Sequence, residues 1–280
     1  MSGVLAARIS PVLALLTALV LVSACGGTRH AGAGGAEPRS GTTSTGRAST
    51  GTASTHPASA HPASAHPASA HPASAGPAGA RPAVTFSSHI PGVGDRLRRR
   101  IPTGSRQVVA VYGEGRDSAE ATVVLYTWRG SGWEGGRGWA AHNGKKGWTV
   151  DHREGDRRSP VGVFTLTDAG GVLADPGSRL PYTRSAAFAA PRRWARAYWH
   201  DFDYVIAIDY NRVKGTPPND PTRPEGPSKG GGIWLHMDHG SGTSACVSLS
   251  ETAMRHLLRT LDPALRPVVV MGDRAALKSW

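Results

Sequence analysis

The sequence predicts a mostly β domain over residues 86–280. Short runs rich in β-branched and aromatic residues recur there between glycine and proline breaks, which is typical of strands. Only one segment has the apolar spacing of a helix. About 195 residues are enough for one domain with its own core. Many strands and a single firm helix therefore favour a mostly β architecture.

Six segments carry the strand pattern, and two long irregular stretches lie among them. The predicted strands are Gln107–Tyr112, Ala121–Trp128, Gly162–Thr167, Tyr204–Tyr210, Gly232–Met237 and Pro267–Met271. The irregular stretches are Asp168–Asp201 and Asn211–Gly231. Segments of this length in a compact domain are often lids or binding loops.

The predicted helix begins after Ser250. Ser250 can cap its first turn, and Glu251 favours the positive end of the helix dipole. Pro263 ends it. Its apolar face consists of Met254, Leu257, Leu258 and Leu261.

Residues 1–25 have the features of an export signal. Val12–Val22 is an apolar run of eleven residues, too short to serve as a transmembrane helix. Val22-Ser23-Ala24-Cys25 resembles a bacterial lipobox, in which cleavage leaves a lipidated Cys25 and so a membrane anchor. The alternative is ordinary cleavage after Ala24, which gives a secreted protein.

Residues 26–85 are predicted to be a disordered linker. Small residues and proline dominate, and His-Pro-Ala-Ser-Ala occurs four times in residues 56–75. Regular prolines favour extended polyproline II at ~3.1 Å per residue, so the linker suits a stalk reaching into the cell wall. The repeated histidines could instead form a metal-binding tract. The proline beside each one disfavours wrapping around one ion.

The predicted domain is basic. Residues 86–280 contain 27 Lys and Arg against 19 Asp and Glu, a net charge of about +8. An export signal argues against nucleic acid as the partner. Anionic wall polymers and lipid headgroups are the better candidates for a basic exported domain.

Cys246 is the candidate nucleophile. It follows His236 by ten positions, and a glycine-rich bend separates the two. A strand, a bend and a return would place the imidazole opposite the thiol, where it can take the thiol proton. The thiolate then attacks a carbonyl carbon. The expected oxyanion hole consists of the backbone N–H groups of Ser244, Ala245 and Cys246.

Other interpretations of these residues remain open. Cys246 could be a buried core thiol, since free cysteine is among the most buried residue types. A disulfide with Cys25, the only other cysteine, is a further alternative in an oxidising compartment. His239 rivals His236 as the base, but its place in the bend predicts a solvent-facing residue or a cleft-rim contact.

A zinc site is the metal alternative. His236, Asp238, His239 and Cys246 supply suitable ligand types. However, His-x-x-His across a strand and a turn does not put both rings on one face, so no metal or cofactor is expected. Asp238 could orient an imidazole, but a backbone carbonyl is the favoured orienting group.

Two blocks of sequence resemble the L,D-transpeptidases, the YkuD-type catalytic domain. The first is Leu235-His236 with the glycine-rich spacer and Thr243-Ser-Ala-Cys-Val-Ser248. The second, Ser159-Pro-Val-Gly-Val-Phe164, is similar to the family's Thr-Pro-x-Gly-x-Phe strand. Tyr210-Asn211 also fits. The resemblance covers most of residues 105–272.

The resemblance implies a fold, an activity and a site. The fold is a β-sandwich of mixed sheets, with the cysteine in a cleft under a lid and one short helix after it. Cys246 carries over as the nucleophile and His236 as the base of a peptidoglycan L,D-transpeptidase that forms 3–3 cross-links through a thioester. Carbapenem-type inhibitors are expected to acylate it. The implied substrate cleft contains Ser159, Gly162, Phe164, Tyr210, His239, Thr243 and Ser248.

Three departures from the family pattern bear on activity. Ala245 stands where the family usually has glycine, and its methyl group disfavours positive φ in the oxyanion turn. The spacer from His236 to Cys246 is short, as in one branch of the family. Ser248 stands where the better-known members have arginine. The group that grips the substrate is therefore open, with candidates Arg157, Arg158, Arg184 and Arg212.

Three functions follow as hypotheses. The first is a 3–3 transpeptidase held as a lipoprotein on the outer face of the cytoplasmic membrane, in the cell wall. The second is a carboxypeptidase or endopeptidase that hydrolyses stem peptides on the same scaffold, with water in place of the acceptor amine. The third is a noncatalytic wall-binding lipoprotein with a degenerate site, for which Ala245 is the best support.

Overall fold

The computed structural model describes residues 86–280. The predicted signal, the linker and Cys25 lie outside the described residues. Within that range, no helix combines the length and the apolar character that crossing a membrane requires.

Strands dominate this part of the chain. The strands are β1 (Phe86–Ser87), β2 (Gln107–Gly113), β3 (Glu120–Trp128), β4 (Trp133–His142), β5 (Trp148–Thr149), β6 (Ser159–Pro160), β7 (Gly162–Thr165), β8 (Ala169–Gly171), β9 (Tyr182–Arg184), β10 (Val205–Ala207), β11 (Trp234–Met237), β12 (Val247–Leu249) and β13 (Val268–Asp273). The α-helices are α1 (Asp95–Arg98), α2 (Glu251–Thr260) and α3 (Arg274–Ser279), and single 3₁₀ turns span Ala186–Phe188, Arg196–Tyr198, Pro227–Lys229 and Pro263–Leu265.

Eleven of these strands form one mixed sheet. Ten follow the order β7-β13-β2-β3-β4-β12-β11-β10-β8-β9, and β1 pairs with β4. The pairs β13–β2, β11–β12 and β8–β9 are parallel, whereas the other pairs are antiparallel. β5 and β6 form a separate parallel pair. All six predicted strands are present and the mostly β class is confirmed, but a single sheet joined through β4–β12 replaces separate sheets.

The main core joins both halves of the sheet. One apolar cluster contains Val109 and Val123 from β2 and β3 together with Ile206, Leu235 and Val247 from β10, β11 and β12. The sheet therefore curves until its halves face each other, which gives the sandwich-like arrangement. Helix α2 adds its apolar face to the same cluster.

Helix α2 is the predicted helix. Its N-cap Ser250 accepts a hydrogen bond from the Ala253 N–H at 3.3 Å, and Glu251 lies in its first turn. The short helices α1 and α3 add to the single helix expected. They bring Leu97 and Leu277 to a second apolar cluster over the outer face of β2 and β13.

The outer face of β10 and β11 carries a third cluster. It contains Phe188, Phe202, Val205, Trp234 and Cys246. Phe188 comes from the stretch 168–201, which was predicted to be irregular but contains β8 and β9. Both strands have only three residues, too few for an alternating pattern to show in the sequence.

Candidate active site

The candidate site lies where β11 and β12 run side by side. The strands are parallel, with His236 opposite Ser248. Cys246 precedes β12, and its Sγ accepts a hydrogen bond from the Trp234 backbone N–H at 3.4 Å. Alternate residues of a strand point to the same face. His236 and Cys246 therefore lie on one face of the sheet as diagonal neighbours on adjacent strands.

The turn that leads to Cys246 is held by two buried hydroxyl groups. Thr243 Oγ1 donates to the Cys246 carbonyl oxygen at 2.7 Å. Ser159 Oγ donates to the Ala245 carbonyl oxygen at 2.6 Å and accepts from the Gly144 N–H at 2.9 Å. Their residues are only 1% and 0% exposed. Both were predicted to line the substrate cleft; their contacts are those of supports for the nucleophile turn.

The backbone of this turn tolerates Ala245. Within residues 86–280, the non-glycine residues with positive φ are Arg157, Asn211 and Arg266. Position 245 thus makes no demand for glycine, and its methyl group packs into the main core. Gly242 is the constrained position, because a Cβ there would lie 2.8 Å from the Ala119 Cβ.

Two backbone amides of the turn are available to a substrate oxygen. Within residues 86–280, the N–H groups of Ser244 and Ala245 donate to no backbone or side-chain acceptor. Pairs of such amides beside a nucleophile can bind a developing oxyanion. This geometry is consistent with the predicted oxyanion hole.

Cys246 itself is fully buried. Its exposed fraction is 0%, and it packs in the cluster with Phe188, Phe202 and Trp234. Its Sγ lies 3.7 Å from the Gly232 carbonyl oxygen. An open cleft at Cys246, as the family resemblance implies, is therefore not present in this conformation. Cys246 is also disulfide-bonded in this structure, so a substrate reaches Sγ only if that bond is reduced and part of the apolar cover moves.

His236 is buried in a defined tautomer. Its Nδ1 lies 2.7 Å from the Met237 carbonyl oxygen, to which it donates, so Nε2 keeps its lone pair. The expected orienting backbone carbonyl is present. Within the described chain, Nε2 has no hydrogen-bond partner. Burial lowers the pKa of His236, and the nearby carboxylate of Asp201 opposes that shift without overcoming it.

His239 lies beside His236. The two rings are stacked with centroids 6.4 Å apart and an interplanar angle of 11°. The Tyr198 ring covers His239 at 4.4 Å, and the His239 side chain is only 1% exposed. The expectation of a solvent-facing residue is wrong, because Tyr198 folds over the glycine-rich bend. The His239 Nδ1 lies 3.0 Å from Asp201 Oδ2.

A second histidine–carboxylate group lies just beyond His236. Asp238 accepts hydrogen bonds from Ser248 Oγ at 2.6 Å, from His142 Nδ1 at 2.7 Å and from the Gly240 N–H at 3.0 Å. Burial raises the pKa of Asp238, but the bonds from Ser248 and His142 outweigh it and leave the pKa below its usual range. Ser248 is 0% exposed. It therefore supports Asp238 and does not line an open cleft.

Cys246, an imidazole of fixed tautomer and two amides of the preceding turn thus lie on neighbouring parts of the sheet, although within the described chain His236 Nε2 makes no hydrogen bond to Sγ. The L,D-transpeptidase catalytic domain (YkuD) family matches residues 117–270, more than half of the chain. The chain belongs to the L,D-transpeptidase catalytic domain family. The matched range contains both Cys246 and His236.

Two further comparisons add little to the family assignment. No curated protein matches the chain significantly. A solved structure, that of Bdellovibrio bacteriovorus Bd1075, is similar at 14% identity with a TM-score of 0.34. The match covers 68% of this chain and 52% of that one, so this chain spans about half the length of the Bdellovibrio protein.

The remaining predicted cleft residues of this L,D-transpeptidase-family domain form a separate aromatic group. Phe164 and Tyr210 meet edge to face at 5.7 Å, and His152 contacts Tyr210 at 5.3 Å. Burial raises the pKa of Tyr210 to about 12, with added effects from Glu225 and Asp156. A Cβ on Gly162 would lie 2.8 Å from the Phe164 ring, so this glycine makes room for Phe164.

Two of the four candidate substrate-binding arginines are engaged in the fold. The buried Arg212 guanidinium pairs with Asp168 and Asp209. Arg158 pairs with Asp117 at 2.7 Å. The other two, Arg157 and Arg184, are exposed.

Residues 86–280 contain a cavity but no metal-binding cluster. No group of three or more His, Cys, Asp or Glu residues there could hold a metal ion. A cavity of about 470 Å³ lies between β3, β4 and α2, lined by residues that include Arg137, Trp139 and His256. Neither Cys246 nor His236 lines it, so this cavity is distinct from the candidate site.

Asp201 and Tyr198 could not be identified as site residues from the sequence. Both lie in the stretch predicted to be irregular, more than thirty positions before His236. The available signal was compositional: Trp194, Tyr198 and Trp199 make this loop unusually aromatic, which favours packing over solvent exposure.

Proposed function

We propose that this L,D-transpeptidase-family domain forms 3–3 cross-links between peptidoglycan stem peptides, with Cys246 as nucleophile and His236 as base. The observation that carries the proposal is the tautomer of His236. The Met237 carbonyl leaves the Nε2 lone pair free, on the same sheet face and on the strand beside Cys246. The family assignment supports peptidoglycan stem peptides as the substrate class.

In the acylation step, His236 Nε2 takes the thiol proton of reduced Cys246. Sγ then forms a bond to the carbonyl carbon that links the third stem residue to the terminal D-Ala. The oxyanion that develops binds the N–H groups of Ser244 and Ala245. His236 returns the proton to the leaving nitrogen as the carbon–nitrogen bond breaks. D-Ala leaves, and a thioester remains on Cys246.

In the second step, an amine of a neighbouring stem attacks the thioester carbon. A carbon–nitrogen bond forms, the carbon–sulfur bond breaks, and His236 accepts the proton that the amine loses before Sγ recovers it. Water in place of the amine gives hydrolysis by the same route. The acceptor alone distinguishes the two outcomes.

An arginine-rich surface supplies positive charge for the substrate. The Arg192 and Arg196 guanidinium groups lie over the Trp199 ring at 4.6 and 5.5 Å, and Arg193 is exposed beside them. Within residues 86–280, the ion pairs include none of these three arginines. Stem peptides carry carboxylates, so this surface suits their recognition where the family's usual arginine is replaced by Ser248.

The cover over Cys246 acts as the gate. Phe188 and Phe202 flank the 3₁₀ turn Arg196–Tyr198, in the same loop as the arginine surface. Substrate bound to the arginines would displace this segment and expose Sγ. Lipidation at Cys25 would hold the domain at the outer face of the cytoplasmic membrane, within reach of the wall.

The direct test is incubation of the purified domain with stem tetrapeptide and a reductant. Cross-linked dimers in the mass spectrum support transfer, whereas tripeptide without dimers identifies a hydrolase. Cys246→Ala removes either product, while His142→Gln, which leaves both reacting groups in place, retains it.

Full burial of Cys246 specifically favours a second candidate, a noncatalytic wall-binding protein. Carbapenem treatment under reducing conditions separates the two functions. A covalent adduct that disappears in Cys246→Ala supports the enzyme. Folded protein that forms no adduct at any concentration contradicts it and favours the binding protein.

A further inference from the structure

Asp201 is a buried carboxylate without a satisfactory hydrogen bond. Its side chain is 1% exposed, and within residues 86–280 neither carboxylate oxygen has a partner of good geometry. The nearest cation-forming group is His239, whose Nδ1 lies 3.0 Å from Oδ2. Burial of a carboxylate charge in this state is costly unless the charge offsets another one.

The charge that needs offsetting appears during the reaction. When Cys246 gives its proton to His236, the ring becomes an imidazolium that is 0% exposed. Phe202 contacts this ring at 5.3 Å, so little water is available to solvate it. The stacked His239 ring links His236 to Asp201.

We propose that Asp201, through its negative charge beside the His236–His239 pair, is a positioning residue that stabilises the imidazolium form of His236, an inference that rests on the proposed role of His236 as base. The cluster of His236, His239 and Asp201 binds the proton that leaves Cys246. Asp201 has no contact with the substrate. Its negative charge lowers the free energy of proton transfer from Cys246 to the buried ring at neutral pH.

The main chain of Asp201 serves the same ring. Its carbonyl oxygen accepts a hydrogen bond from the Met237 N–H at 2.9 Å. The Met237 carbonyl in turn orients His236 Nδ1. This main-chain link survives a change of side chain, so Asp201→Asn removes the charge while keeping the scaffold.

Two other titratable groups contribute to the field at His236. His239 carries a positive charge when protonated and so disfavours the imidazolium, whereas Asp238 favours it. Asp238 also accepts a hydrogen bond from His142. Lys145 Nζ lies 5.9 Å from the centroid of the Tyr198 ring, which in turn contacts His239. Asp201 is the largest of the favourable charges.

The test is an NMR titration of the His236 ring signals in the wild type and three variants. Asp201→Asn should lower the midpoint of His236 by about one unit, since removal of a nearby negative charge disfavours the imidazolium. His239→Phe keeps a stacked ring and should raise the midpoint. Asp203→Asn is the matched control, because its carboxylate bonds to the exposed His200 and should leave His236 unchanged.

The opposite directions separate this role from a purely structural one. A loosened core would admit water and raise the midpoint in both Asp201→Asn and His239→Phe, toward the ordinary value of ~6.5. An unchanged or raised midpoint in folded Asp201→Asn therefore overturns the proposal. A lowered midpoint, including failure to protonate before acid unfolding, supports it.

A second readout ties the charge to Cys246. With reductant present, the iodoacetamide rate at pH 7 should fall roughly tenfold in Asp201→Asn and stay unchanged in Asp203→Asn, as expected for a one-unit shift. The titration reports on His236 whether or not stem peptides are substrates. Failure of the proposed function would appear as no product from tetrapeptide, and failure of the Asp201 role as an unmoved midpoint.

Discussion

Two carboxylates near His236, those of Asp238 and Asp201, differ in the number of hydrogen bonds that they accept. Asp238 accepts three hydrogen bonds, from Ser248, His142 and Gly240. Asp201 is more deeply buried, yet within the described residues its oxygens accept none of good geometry. A buried carboxylate whose hydrogen bonds are made stabilises the fold. One without hydrogen bonds carries an uncompensated desolvation cost and destabilises it.

The difference separates a carboxylate with a structural role from one whose burial destabilises the fold beside the candidate base. Asp238, which follows β11, ties the end of that strand to β4 through His142 and to β12 through Ser248. The Asp201 group contributes two buried rings and a charge next to a candidate base. Variants that exchange these properties test the distinction.

The largest contrast is expected between the two histidines. His236→Gln removes the proton acceptor, so Cys246 alkylation and any stem-peptide turnover should fall by roughly 10²–10⁴-fold. His142→Gln, which alters only the satisfied group, should retain most of both rates. Iodoacetamide kinetics at pH 7 under reducing conditions measure the contrast. Equal losses in the two variants would contradict the assignment of His236 as the base.

Replacing Asp238 should lower the free energy of unfolding more than replacing Asp201, whereas Asp201 has the larger effect on His236. Asp238→Asn leaves donors without their charged acceptor and should lower the free energy of unfolding by about 1–3 kcal/mol. Asp201→Asn should cost less than about 1 kcal/mol, because within the described residues its side chain gives up no hydrogen bond of good geometry. Urea unfolding at pH 7.5 with reductant gives both values. A larger loss for Asp201→Asn would make that side chain structural.

The sequence was sufficient to predict most of the longer strands and the helix around this site. Alternating runs identified β2, β3, β7, β10, β11 and β13, and capping with apolar spacing identified α2. It missed β4, because Gly135, Gly136 and Gly138 interrupt its pattern. Those glycines have a packing reason: a Cβ at Gly135 would lie 2.8 Å from the Tyr126 ring. Such close approach between strands is not encoded in periodicity.

The sequence was not sufficient for the environment of His236. Strand, bend and return predicted His236 opposite Cys246, whereas the register has His236 opposite Ser248, and Cys246 directly precedes β12. Asp201 joins them only because its carbonyl pairs with Met237 across 36 positions of sequence. His239 is covered by Tyr198, 41 positions earlier. Non-local pairing of this kind becomes visible only once the sheet order is known.

A smaller effect is expected at Ser248. Ser248→Ala removes one of the three donors to Asp238 and should cost about 1 kcal/mol of stability. Asp238 keeps His142 and Gly240, so the loss should be below that of Asp238→Asn. Ser279→Ala, at an exposed position near the end of α3, is the control and should stay within ~0.5 kcal/mol of the wild type. A Ser248→Ala loss equal to that of the control would mean that the Ser248 hydrogen bond to Asp238 does not stabilise the fold.

A further effect is the pH dependence of stability that burial of His236 imposes. The unfolded chain takes up a proton at this residue near its ordinary value of ~6.5, whereas burial lowers the pKa of His236 in the folded state. Below pH ~6.5 the unfolded state therefore binds more protons, and stability falls as the pH falls. One proton limits the slope to ~1.4 kcal/mol per pH unit.

Urea unfolding between pH 7.5 and 5.5 would show this slope as a difference between variants. His236→Gln should lose the contribution of the buried ring and show a shallower decline than the wild type. His89→Gln removes an exposed histidine and should leave the decline unchanged. A decline in His236→Gln as steep as that of the wild type would mean that this ring takes up its proton equally well in the folded and unfolded states, which is incompatible with a base kept neutral by burial until Cys246 supplies the proton.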